Sequence, residues 1–404
     1  MTPKNIWIVT ELFYPDETAV AFIFTRIANH LSKSYKVSVI CGPDYYDNNK
    51  NKFIDDVQVS RDIDIYRIKS INLDKNSLIQ RSLKIVILSL RMGILMVRKI
   101  PKGEIVILST NPAPLLLIVR LITYFKKIQL HILVHDVFPE NTVPAKIFKN
   151  NYSFVFRIFK HLFDKAYSCA DQLIVIGRDM EIVLSEKVRG YKKKPIISIV
   201  PNWTNPDKFY ISDIKDVDGK KITIQYAGNL GRVQGLVEIL DGFRLSTNQN
   251  LQLNFYGTGA LFQYIENYIS KYSIKNITLK GSYSRNEEYR ILSNCDIGIV
   301  SLSKGMFGLG VPSKSYHLLS AGKPILFIGE PETEISYMVL ENNIGWSLDI
   351  RNQNSIIDFF DNLNSIEYET IRKMGLRARF LAESVYNETV ILQLFQSKIE
   401  SLNS

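Results

Sequence analysis

The chain has 404 residues, 46% hydrophobic and 22% charged, which suits two folded cores of about 200 residues each and excludes a disordered protein. Its three cysteines, Cys41, Cys169 and Cys295, lie far apart without Cys-x-x-Cys spacing, which excludes a disulfide framework and a zinc site and fits a reducing compartment. The net charge of +10 is uneven: residues 1–205 carry 30 Lys/Arg against 18 Asp/Glu, net +12, and residues 206–404 are net −2. The first half is therefore expected to meet something anionic, and nucleic acid and anionic lipid both satisfy that condition. No apolar run reaches the roughly 18 residues that cross a bilayer. The opening Asn5-Ile6-Trp7-Ile8-Val9 is only strand-length, so no leader is read there.

Residues 5–10 predict a strand, 21–31 a helix burying Phe22, Ile23, Ile27, Ala28 and Leu31, and 36–41 a second strand. Strand, helix, strand announces a parallel, doubly wound sheet. Strand material follows at 57–68; Asp62 and Asp64 alternate along it and read as a solvated face rather than a metal–diphosphate site. Residues 76–99 predict a helix apolar around most of its circumference, with Lys84, Arg91 and Arg98 in one stripe at seven-residue spacing. Such a helix lies in a membrane interface, or else it is a core helix exposing a basic edge. A second segment, 146–165, mixes five phenylalanines with Lys149, Arg157 and Lys160. Strands are expected at 104–108 and 129–134, the second running into His135-Asp136-Val137-Phe138-Pro139-Glu140. Polar residues beyond the carboxyl end of a parallel strand sit where open α/β sheets bind ligands. Two more strands, 171–176 and 197–200, lead to Pro201-Asn202-Trp203 and a polar linker, 204–221.

The second half restarts with strand 222–227 and the turn Gly228-Asn229-Leu230-Gly231-Arg232, followed by a helix from about Gly235. Strand, glycine turn and helix suit phosphate, and an arginine there can pair bidentately with its oxygens. Strand 251–256 ends in Gly257-Thr258-Gly259, strand 277–279 in Lys280-Gly281-Ser282, and 296–300 is a further strand. The glycine run Gly305, Gly308, Leu309, Gly310 then leads to Pro312-Ser313, a helix start, and the helix stops at Gly322 before strand 325–328. Glycines ahead of a helix let backbone N–H groups converge on an anion. Lys314 in the first turn is mildly unfavourable unless an anion sits beside it; a solvated surface lysine is the plainer reading. Residues 371–400 predict a long amphipathic helix or a helix pair.

Several of these stretches resemble the retaining glycosyltransferases of family 4, which have the GT-B fold, and nearest their bacterial capsule, O-antigen and colanic-acid subgroup. The matches are Pro312-Ser313-Lys314 with Ala321-Gly322-Lys323-Pro324, the Asp136-to-Glu140 run, Pro201-Asn202-Trp203 and "YAGNLGRVQG" at 226–235. Tyr14-Pro15 matches the family's first turn, but Asp16-Glu17-Thr18-Ala19 replace its glycine pair. The resemblance implies two Rossmann-like doubly wound domains facing a central cleft: 1–203 for the acceptor and membrane, the linker 204–221, 222–382 for the nucleotide sugar, and 383–404 packing back on the first domain. It implies transfer of a sugar from a nucleotide diphosphate donor, UDP-linked, to a lipid-linked saccharide at the cytoplasmic face of the membrane, with retention and without metal or cofactor.

Donor-binding residues implied in this way are Gly228, Asn229, Gly231, Arg232, Gly257, Gly259, Gly281, Ser282, Gly308, Leu309, Gly310, Ser313, Lys314 and His317. Asp136 and His135 are the implied catalytic pair near the acceptor hydroxyl. Lys84, Arg91, Arg98, Lys149, Arg157 and Lys160 would face an anionic membrane, and no nucleic-acid module accompanies the charge. One departure is chemical: Leu309 and His317 stand where most of the family carries two glutamates. Histidine has one acceptor nitrogen when neutral, so backbone and Lys314, or another group such as Glu330, would have to hold the donor. A catalytically silent GT-B protein that binds membranes or partners, and another GT-B enzyme such as a nucleotide-sugar epimerase, are the alternative readings.

Overall fold

The structure, a computed structural model, describes residues 5–16, 18–43, 58–69, 78–148, 150–209, 221–363 and 368–402. Lys149, residues 76–77 and most of the linker lie outside the described residues.

The first domain runs β1 (Ile6–Thr10), α1 (Ala19–Leu31), β2 (Val37–Cys41), β3 (Asp64–Arg67), α2 (Leu78–Lys99), β4 (Ile105–Ser109), α3 (Pro114–Lys126), β5 (Gln129–Val134), α4 (Phe154–Tyr167), β6 (Gln172–Val175), α5 (Arg178–Val188) and β7 (Ile196–Ile199). Its seven strands are all parallel, in the order β3-β2-β1-β4-β5-β6-β7. The central strand β1 pairs on both sides, Ile6 with Val37 and with Ile105. β1, β2 and β4 are buried at every residue because helices cover both faces, so they read as continuous apolar runs rather than alternating ones. The strand expected at 57–68 is shorter, and Asp64 opens it with an exposed side chain.

The second domain runs β8 (Ile222–Ala227), α6 (Leu236–Leu245), β9 (Leu251–Tyr256), α7 (Phe262–Lys271), β10 (Ile277–Lys280), α8 (Arg285–Ser293), β11 (Ile297–Ser301), α9 (Lys314–Ser320), β12 (Ile325–Gly329), α10 (Glu334–Glu341), β13 (Gly345–Asp349) and α11 (Gln353–Asn362). Its six strands are parallel in the order β10-β9-β8-β11-β12-β13. Two helices close the chain, α12 (Tyr368–Ser384) and α13 (Glu388–Glu400). They part at the linker, where Thr204 N–H donates to Tyr386 O (3.0 Å) and Glu388 N–H donates to Thr204 O (3.2 Å).

Each sheet has its own core, but two pieces cross over. Ile391, Leu392, Phe395 and Ile399 of α13 are buried in the first domain's core. So are Leu302, Met306 and Leu309, which belong to the loop after β11. That loop therefore spans the cleft and is shaped by both domains.

Candidate functional site

The carboxyl ends of both sheets face one another across the cleft, the place where open parallel sheets leave a crevice. In the second domain the turns after β8 and β9 are joined edge to edge: Gly228 N–H donates to Tyr256 O (2.9 Å) and Leu230 N–H to Thr258 O (2.8 Å). Gly257 has φ +135°, and a Cβ there would lie 1.8 Å from Gly228 O. No side chain fits, so glycine is what allows the two turns to meet.

The loop after β11 is held by carboxylates from two directions. Glu330, just past β12, accepts from the N–H groups of Gly305 (2.9 Å) and Phe307 (3.2 Å). Asp179, at the start of α5 in the first domain, accepts from Gly308 N–H (3.1 Å). Leu309 O in turn accepts from Val137 N–H (3.1 Å), directly after Asp136. Three amides of this run, those of Gly305, Phe307 and Gly308, are thus bound to side chains of this protein. Glu330, which the sequence offered as a donor ligand, accepts these two loop amides through Oε2.

Between the domains lies a cavity of about 440 Å³. Ala19, Phe22 and Ile23 of α1 form one wall, Asn202 and Trp203 the hinge side, and Gly228, Asn229, Gly257, Thr258, Ser282, Tyr283, Glu288, Ser313, Lys314 and His317 the rest. Seven of the expected donor residues therefore meet in one cavity: Gly228, Asn229, Gly257, Ser282, Ser313, Lys314 and His317. Gly281 lines an adjoining cavity of about 350 Å³ with Tyr256, Lys280, Ser282, Tyr283 and Arg290. Gly231, Gly259, Gly308, Leu309 and Gly310 line neither, and Leu309 is buried in the first domain's core. Arg232 is exposed and likewise outside both linings.

Sequence reading missed Glu288. It sits on α8, is 4% exposed, and binds both Lys314 and His317, the His317 Nδ1 contact being 2.7 Å. Burial opposes its ionisation, but His317 and Lys314 prevail and hold its carboxyl well below the usual carboxylate range. The neighbouring Glu287 faces outward and closes a capping box with Ser284. That box orients α8 and turns Glu288 toward the cavity. The pattern Ser-x-x-Glu at 284–287 was the available signal.

His135 and Asp136 follow β5 directly, outside the cavity's lining. His135 is nearly fully buried; burial lowers its imidazole to about 4, and neither ring nitrogen has a partner among the described residues. At neutral pH it is uncharged. Asp136 is raised by burial, against a hydrogen bond from Asn111 Nδ2 (3.3 Å). A Cβ on Gly310 would lie 3.2 Å from His135 O and 3.7 Å from Asp136 Oδ1, so the crossing loop presses against this pair. Glu140 of the same run accepts from Lys187 (2.6 Å), whose side chain is 2% exposed and also meets Asp164 (2.5 Å). It anchors the segment internally.

On the outer side of the first domain, α2 buries Leu88, Met92 and Met96 but leaves Leu83, Val86, Leu90, Ile94 and Val97 exposed. It packs on α3, and α3 on α4. The same surface continues through Leu121, Tyr124 and Phe125 to Phe154, Val155, Ile158 and Phe159. Arg91, Arg98 and Arg157 are exposed on these helices and Lys84 is half-buried. Lys160 differs, being paired with Asp164 (2.8 Å) and Glu140 (3.2 Å). Among the described residues no helix is long and apolar enough to cross a membrane, and no group of three His, Cys, Asp or Glu side chains is placed to hold a metal.

Comparison with known proteins now adds to this geometry. The sequence profile of the family described as glycosyl transferases group 1 matches residues 207–375. The chain is 32% identical over 354 residues, 86% of each sequence, to a protein of Pseudomonas aeruginosa named "Probable glycosyltransferase WbjE". Among solved structures it is similar to a sucrose-phosphate synthase from Thermosynechococcus elongatus, with TM-score 0.72, 14% identity and 99% of both chains covered. It is similar too to HepE of Anabaena in complex with UDP, with TM-score 0.68, 10% identity, and 98% and 100% covered. At those identities the two structures speak for the fold.

Proposed function

The chain belongs to the glycosyl transferases of group 1, and we propose that it moves a sugar from a UDP-linked donor to a lipid-linked saccharide at the cytoplasmic membrane face. On this reading it is a retaining, metal-independent enzyme of surface-polysaccharide synthesis, of the family 4 type. The observation that carries the proposal is Lys314 on the wall of the interdomain cavity, between the zipped glycine turns and facing Tyr283, with its ring centroid 5.8 Å from Lys314 Nζ.

Departure of a nucleoside diphosphate leaves negative charge, and a cation fixed in a partly enclosed site stabilises it as it develops. Among the described residues Glu288 is the one carboxylate in the cavity's lining, and it is bound to Lys314 and His317. It is therefore not placed as the nucleophile of a double displacement, which would need a free carboxylate at the anomeric carbon. Front-face displacement fits better. The bond from the anomeric carbon to the diphosphate breaks, the acceptor oxygen bonds on the same face, and the acceptor's proton passes to the departing diphosphate oxygen. Neutral His135, together with Asp136, beside the crossing loop, would orient sugar or acceptor hydroxyls. The adjoining cavity with Tyr256, Gly281 and Arg290 would take the base.

Titration calorimetry with UDP tests the assignment. Lys314→Ala should weaken binding by about 1.5–3 kcal/mol, the range of a charge-assisted hydrogen bond. Arg232→Ala, exposed outside the cavity, is the comparison. Unchanged affinity in Lys314→Ala would remove the diphosphate from this cavity.

A further inference from the structure

Glu288 offers a single oxygen, Oε1, to two partners, the Lys314 ammonium and Nδ1 of His317. His317 comes from α9, 29 residues further along the chain, and its ring packs 5.9 Å from that of Phe209. An ionised carboxylate accepts hydrogen bonds and donates none, so Nδ1 of His317 carries the proton. In the neutral ring Nε2 is then left with a lone pair. Since Nδ1 is occupied by Glu288, Nε2 is the ring nitrogen left for a ligand in the cavity that His317 lines.

We propose that Glu288 is a positioning residue, fixing His317 in the Nδ1–H tautomer so that Nε2 accepts a hydrogen bond from a hydroxyl of the bound nucleotide sugar. The inference rests on reading this cavity as the donor site. An unsupported imidazole exchanges between two tautomers; a carboxylate behind it fixes both proton and ring orientation and raises its basicity. The arrangement has a second consequence. A carboxylate at His317's place would add negative charge beside a diphosphate, whereas the imidazole accepts a hydroxyl proton without it. Glu288 shares the same oxygen with Lys314.

Imidazole nitrogen NMR of protein labelled at its five histidines tests this, with His317→Gln assigning the resonance. At a pH where the titration of that resonance shows the ring neutral, the expected spectrum has Nδ1 of His317 in the protonated range and Nε2 in the unprotonated range. Saturating UDP, GDP or ADP, whichever binds by calorimetry, should move Nε2 in the direction of an accepted hydrogen bond. Glu288→Gln, whose amide can present either oxygen or nitrogen to the ring, should shift both nitrogens toward a tautomer average. Nucleotide affinity should fall about 5- to 30-fold with the thermal midpoint little changed. A wild-type spectrum with Nδ1 unprotonated overturns the proposal without recourse to any variant of Glu288. So does a nucleotide that binds without moving Nε2. No calorimetric binding of all three nucleotides overturns the donor reading, and this inference with it.

Discussion

Domain closure should depend on Arg178. It starts α5 in the first domain and reaches α10 in the second, donating from its backbone N–H (2.8 Å), Nε (3.0 Å) and Nη2 (3.3 Å) to Glu334 and from Nη1 to Glu341 (2.8 Å). The guanidinium also lies 4.4 Å from the centroid of Tyr337. The two arms differ in worth because they differ in exposure. The Glu341 side chain is 53% exposed, so that arm contributes about 0–1 kcal/mol. The Glu334 side chain is 9% exposed, and charge-assisted bonds to a mostly buried carboxylate contribute about 1.5–3 kcal/mol. Arg178→Ala also leaves Glu334 charged with its side-chain partner gone, so a loss of about 2–4 kcal/mol is expected for the contact between domains. Two kcal/mol is already about 30-fold in a closed-to-open ratio. Small-angle scattering should show a larger radius of gyration for the variant, and UDP affinity should fall with it. Glu341→Gln is the internal comparison, within about 1 kcal/mol of wild type. Identical scattering and thermal midpoints for Arg178→Ala and wild type would refute the reasoning.

The strands were legible because a parallel sheet buried on both faces writes itself as short apolar runs: Ile6-Trp7-Ile8-Val9 and Ile325-Leu326-Phe327-Ile328 can be little else. Glycine turns were legible for a similar reason, since Gly257 is demanded by an approach to the backbone of Gly228 that no side chain survives. What composition cannot carry is direction. Gly-x-x-Gly-Arg names an arginine but not where it points, and Arg232 is exposed outside both cavity linings. The glycine run before α9 looked like free amides; that Glu330 and Asp179 occupy them depends on elements 23 and 129 residues away. Glu288 was hidden in Arg-Asn-Glu-Glu-Tyr-Arg, which reads as a solvated face until α9 packs against α8. Likewise the periodicity of α2 showed an apolar helix with a basic stripe but not that one apolar face remains uncovered.

Three further expectations follow from the geometry. Asp136→Ala should lower kcat at least about 100-fold with UDP affinity nearly unchanged, the pattern of a lost positioning contact; a wild-type rate would make Asp136 structural. Asp179 is pushed up to about 6 by burial, with the Glu334 charge adding to this and backbone N–H groups opposing it, from an ordinary value of 3.8. Between those values the folded form binds the proton that the unfolded chain has lost, so this group's contribution to stability falls as pH rises from about 4 to 6. The thermal midpoint of Asp179→Asn relative to wild type should accordingly rise over that window, and a flat difference would refute the assignment. Last, the uncovered face of α2, α3 and α4 should seat on anionic membrane. Tyr124 is 80% and Phe125 70% exposed, beside Lys126 and Lys127 at the end of α3, so both rings can enter the headgroup region while the cations meet lipid charge. Full burial of such a ring contributes about 1.5–3 kcal/mol, and each nearby cation about 1 kcal/mol within a Debye length of roughly 8 Å. Replacing both rings with serine should therefore weaken cosedimentation with phosphatidylglycerol vesicles about 10- to 100-fold at any salt, assuming partial burial. Arg91→Glu with Arg98→Glu should weaken it chiefly at low salt. Lys160→Ala should matter little, because Glu140 and Asp164 already neutralise it. Wild-type protein that stays in the supernatant at low salt would mean that this face meets something other than a bilayer.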